Sequence, residues 1–126
     1  MKLEFLEESS DGPTILLTGS DPNEAARLRK EFRELSEWPT RRLSLHELPF
    51  IEAVNQCEVT ASSGSRDVGV KQKSEAPSFD WILKQLTWSN VEGLLEPFCV
   101  QGSGTKFQFL NPSFGPEVIF STTGKW

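Results

Sequence analysis

The chain has 126 residues and a net charge of −5. That length fits one domain and excludes a TIM barrel, a two-domain dinucleotide enzyme and a repeat array. Surface scaling gives about 6,800 Å² folded against about 20,600 Å² extended, so a core can form without a metal or a disulfide. The acidic total disfavours nonspecific binding to nucleic acid or to an anionic membrane.

Residues 2–7 alternate weakly, Ser9-Ser10-Asp11-Gly12-Pro13 is a turn signal, and Thr14–Thr18 is a short apolar run, so the first pair of elements reads as a hairpin. Asp21-Pro22-Asn23-Glu24 combines a cap, a first-position proline and an acid three residues on. Ala25, Leu28, Phe32 and Leu35 follow at helical spacing. The first helix is predicted over about 22–36, stopping before Trp38-Pro39. A short strand is expected over 41–45. Ile51, Ala53, Cys57, Val59 and Ala61 share one parity, which predicts a half-buried strand broken near Asn55. A return strand follows at 68–73, then an exposed connection over 73–78.

Residues 79–86 fit either period. Phe79, Trp81 and Leu83 share strand parity, whereas Phe79, Ile82, Leu83 and Leu86 suit a helix; strand is preferred because a fresh cap follows so soon. Ser89 with Glu92 forms a capping box, and Val91, Leu94, Leu95 and Phe98 form a stripe, so a second helix is predicted over about 89–98. Residues 107–109 and 117–121 complete the strands, and Trp126 is expected either to fold back on the sheet or to stand exposed for a contact. The fold class is α+β: a mainly antiparallel sheet of about six to eight strands with two amphipathic helices packed on it, one domain over 1–126.

Catalytic chemistry has few carriers. There is one histidine, His46, and no tyrosine; the cysteines, Cys57 and Cys99, are far apart and match no metal spacing. They read as reduced thiols in a cytoplasmic protein, since the first residues lack a signal peptide and no apolar run could span a membrane. Gly102-Ser103-Gly104-Thr105-Lys106 echoes a phosphate loop but lacks its spacing. No cofactor and no metal are expected. Asp67 and Asp80 remain as carboxylates at strand starts, in case a carboxylate pair operates.

The most uneven charge lies between residues 27 and 42, which carry +3 and leave −8 on the rest. Arg29, Arg33, Arg41 and Arg42, with Trp38 between them, are the candidate binding residues: forked cations suit carboxylate or phosphate, and an indole offers stacking. The functional expectation is a non-enzymatic protein-interaction module, of the type of an acidic inhibitor or immunity protein. The alternative is a small carboxylate-dependent enzyme, or a ligand-binding domain with a sheet-lined pocket. A protein partner is expected, and neither nucleic acid nor membrane.

Overall fold

A computed structural model describes residues 1–74 and 77–126. Its accessible surface is 6829 Å², the value expected of a close-packed chain of this mass. Strand β1 (Lys2–Leu6) and strand β2 (Thr14–Thr18) form the expected hairpin, with Leu3 opposite Leu17 and Phe5 opposite Ile15. Helix α1 spans Pro22–Glu37. Asp21 caps it, its carboxylate accepting from the Asn23 N–H at 2.8 Å, and Ala25, Leu28, Phe32 and Leu35 are its buried stripe. Glu24 does not close the predicted box; it holds the Met1 ammonium at 3.1 Å.

Strands β3 (Arg42–Ser44), β4 (Glu52–Ala53), β5 (Glu58–Ser63), β6 (Gly69–Ser74) and β7 (Ser78–Leu83) come next. The connection expected over 73–78 lies partly outside the described residues. Helix α2 (Gln85–Leu94) precedes strands β8 (Phe107–Phe109) and β9 (Glu117–Ser121). Two helices and nine strands are thus present among the described residues, and no helix among them is long and apolar enough to cross a membrane.

The strands form two mixed sheets, ordered β4-β1-β2-β9-β8 and β3-β5-β7-β6. This corrects the mainly antiparallel single sheet expected from short connections. Three pairs are parallel: β1 with β4, β2 with β9, and β5 with β7. The reason is long-range. β6 runs back beside β5 but leaves one strand width between them, and β7 fills that slot. The segment expected as one broken strand over 51–61 is likewise divided between the sheets. A 3-10 turn at Val54–Gln56 makes the transfer, with Asn55 and Gln56 in the left-handed region at φ 51° and 61°.

The second helix also starts earlier than predicted. Ser89 lies inside α2 and is exposed, so the Ser89–Glu92 box does not form. The cap comes from another element: Asp67 accepts from the Lys84 N–H at 2.8 Å and the Thr87 hydroxyl at 3.0 Å. Trp88, Val91 and Leu95 are buried, whereas Leu94, assigned to the stripe, is 36% exposed. Pro97 sits in a 3-10 turn, Glu96–Cys99, that follows the helix.

The helices run antiparallel, since Arg29 meets Glu92 while the Ser36 carbonyl accepts from the Gln85 amide. Phe32 of α1 packs edge-on to Trp81 of β7 at 5.7 Å and stacks on Trp88 of α2 at 5.5 Å. Both indoles are satisfied: Trp88 donates to the Ser62 carbonyl and Trp81 to the Asn111 side chain. Phe98 meets Phe120 of β9, and Phe5 of β1 meets Phe79 of β7 at 4.7 Å, so both sheets and the helices share one core. At one end of the core two backbones touch. Val70 donates to the Phe114 carbonyl at 2.9 Å, with Gly69 and Gly115 beside it at φ +90° and +89°.

Asp67 gives a pH-dependent expectation. The Lys84 N–H holds its carboxyl below the usual carboxylate range; burial opposes this and the Thr87 hydroxyl assists. A depressed carboxyl contributes stability above its unfolded pKa of about 3.9 and loses it as pH falls through the folded value. Asp67→Ala should therefore cost about 1 kcal/mol at pH 7, the usual worth of a cap. In urea titrations the gap from the parent should shrink as pH falls below the unfolded carboxyl value of about 3.9.

Candidate functional site

The five residues selected from the sequence do not form one patch of free cations. Arg29 Nε sits 2.6 Å from Glu92, and its guanidinium is also 3.9 Å from Glu96. Arg33 shares Glu92 at 3.6 Å. Arg41 lies 2.8 Å from Glu31 and 3.0 Å from Glu34. These pairs bind α1 to α2 and the turn after α1 back onto it. The Glu92 hydrogen bond is the main reason the Arg29 pKa is raised; burial works against it, and the charges of Glu92 and Glu96 add to it. Trp38 and Arg42 remain apart from this network. Trp38 is 62% exposed, and Arg42 is exposed with no ion-pair partner among the described residues. Arg27, within the same basic segment, covers the Phe50 ring at 4.5 Å.

Glu4, Glu7, Glu8, Asp11, Glu47, Glu52 and Glu117 have no ion-pair partner among the described residues. Most of them belong to the β1–β2 hairpin or to strands beside it. Glu117 N–H donates to the Pro13 carbonyl, which joins the start of β9 to the hairpin turn. The Glu117 carboxyl is pushed above its usual range, first by burial and then by the Asp11 charge. Asp11 in turn accepts from the Trp126 indole at 2.6 Å, an exposed contact with the hairpin turn and not with the sheet face. A groove of about 430 Å³ opens here, lined by Phe5, Glu7, Glu8, Pro13, Gln72 and Pro116.

The other chemical candidates are dispersed. His46 Nδ1 accepts from the Val59 N–H at 3.1 Å, which fixes its proton on Nε2, 3.6 Å from Glu58. Its ring continues the β3 edge past Ser44, pairing an amide of β5 that β3 is too short to reach. Cys57 lines the adjacent 340 Å³ cavity. Burial, then the Glu4 and Glu58 charges, push its thiol up to about 11, so it carries no nucleophilic thiolate at neutral pH. Cys99, also a free thiol, is raised by burial, with Arg29 opposing. Asp67 caps α2, while Asp80 pairs with Lys73 at 3.4 Å, so those two carboxylates have separate structural partners. The Gly102–Lys106 loop lines a 330 Å³ cavity and leads into strand β8, not a helix. Among the described residues no group of three or more His, Cys, Asp or Glu could hold a metal ion.

The pairing of Arg29, Arg33 and Arg41 with glutamates was not legible in the sequence. Charge balance located the uneven segment, but Glu92 and Glu96 lie over fifty residues away from Arg29 and Arg33. No family model matches the chain, and neither a curated protein nor a solved structure matches it.

Proposed function

We propose that the protein is a non-enzymatic protein-interaction module whose acidic hairpin end receives a basic partner, as an acidic inhibitor or immunity-type protein does. The observation that carries this reading is the run of acids at the hairpin end. Arg29, Arg33 and Arg41 are neutralised by glutamates of the helices, while Glu4, Glu7, Glu8 and Asp11 have no cation within ion-pair distance among the described residues. Uncompensated charge of one sign accelerates encounter with a partner of the other sign and repels wrong ones. The dispersed positions of His46, Cys57, Asp67 and Asp80 favour binding over catalysis.

A second surface competes because Trp38 is 62% exposed and Arg42 has no ion-pair partner among the described residues; it would take an acidic partner. Charge reversal separates the two. In pull-downs from the native host, Glu7→Lys/Glu8→Lys should lose a basic protein that the parent and Trp38→Ala/Arg42→Glu both retain. Retention by the first variant and loss by the second would move the site to Trp38 and Arg42. Absence of any protein partner, with a metabolite raising the melting temperature instead, would favour the ligand-binding alternative.

A further inference from the structure

We infer that the groove between the hairpin and β6 is a subsite for one long cationic side chain, lysine or arginine, of the basic partner. This rests on the acidic-face reading above and specifies where on that face the contact is made. The groove brings together residues of β1, the hairpin turn and β6 with Pro116 before β9. Its floor is Phe5, whose ring is backed by Phe79 at 4.7 Å, and Pro13 and Pro116 form apolar walls. Glu7 and Glu8 stand exposed at its mouth. None of the groove's lining residues is basic. Lys71 and Lys73 alternate with Gln72 along β6, so they stand on the opposite face, where Lys73 pairs with Asp80.

This combination matches an amphipathic cation. The aliphatic stem of lysine or arginine covers apolar surface while its head stays in water beside carboxylates. A bare divalent ion is disfavoured, because no cluster of three or more potential ligands exists among the described residues and Phe5 and the prolines offer it nothing. Arginine also gains from the aromatic floor, since a guanidinium stacks on a ring.

The test is amide chemical-shift mapping of the full chain, titrated with an oligoarginine peptide at physiological salt. Shifts are expected at Phe5, Glu7, Glu8 and Gln72. Glu7→Gln/Glu8→Gln and, separately, Gln72→Arg should each weaken binding about tenfold, the scale of two rim contacts. Glu47→Gln/Glu52→Gln removes the same charge away from the groove and should change affinity by less than about twofold. All these positions are exposed or nearly so, and an otherwise unchanged spectrum verifies folding. Equal weakening by both glutamine pairs would overturn the groove while leaving the acidic-face reading standing. No shift at any acid would overturn both. Spermidine moving the same amides with equal or greater affinity would replace the protein side chain by a free polyamine and overturn the inference.

Discussion

Gly69→Ala and Gly115→Ala should each destabilise the protein by about 3 kcal/mol or more, the sum of a left-handed backbone penalty and an overpacking penalty. For a chain of this size that is a fall of about 10 °C in melting temperature. Gly69 has φ +90° and Gly115 φ +89°. A Cβ at Gly69 would overlap the Phe114 carbonyl, and one at Gly115 would overlap the Val70 carbonyl. These atoms are backbone, so no side chain can rotate away to make room. The contact also carries the Val70–Phe114 hydrogen bond that ties β6 to the loop before β9. Gly12→Ala provides the control: its φ is +82° but nothing lies within 4 Å of the added carbon, so only the backbone penalty of about 1–2 kcal/mol applies. Thermal unfolding of the three variants checks the ranking, and equal losses would show that the close approach contributes nothing.

Asn111→Ala is expected to cost about 3 kcal/mol, because it leaves several partners unmet at once. Asn111 is 7% exposed. Its oxygen accepts from the Trp81 indole at 3.3 Å and the Ser113 N–H at 3.2 Å. Its amide donates to the Phe114 and Pro116 carbonyls, both at 3.1 Å. One side chain therefore satisfies a core indole and shapes the turn that places Phe114 and Gly115. In a Trp81→Phe background the indole no longer needs an acceptor, so the added cost of Asn111→Ala should fall by about 1 kcal/mol in a double-mutant cycle. Strict additivity would contradict the shared-network account.

Local signals carried α1. Asp21, Pro22 and the Ala25–Leu35 stripe lie within one segment, and tertiary packing reinforced what they specified. The strand reading of 79–86 matches β7 over Phe79–Leu83, where Phe79, Trp81 and Leu83 all face the core, but Gln85 and Leu86 belong to α2. What failed was every feature set by distant residues. α2 begins at Gln85 because Asp67, on a loop before β6, supplies the cap; Ser89 and Glu92 mimicked a start. Strand order depends on β7 entering between β5 and β6, and no periodicity within β5 reveals its neighbour. The candidate site had the same weakness. A run of arginines reads as a recognition patch until Glu92 and Glu96 arrive from the other helix.

Thermal unfolding of two opposite charge reversals tests most directly whether Arg29 and Arg41 serve the fold while the hairpin acids Glu7 and Glu8 are free for a partner. Arg29→Glu/Arg41→Glu replaces two cations with anions facing Glu92, Glu96, Glu31 and Glu34. It should cost about 3 kcal/mol, or about 10 °C, from lost charge-assisted hydrogen bonds and new repulsion. Glu7→Lys/Glu8→Lys removes carboxylates that hold no ion pair among the described residues. It should leave the melting temperature within about 2 °C of the parent, as surface changes usually do. The opposite ranking, with the arginine variant unperturbed and the acid variant strongly destabilised, would show that the acids serve the fold and the arginines are free for a partner.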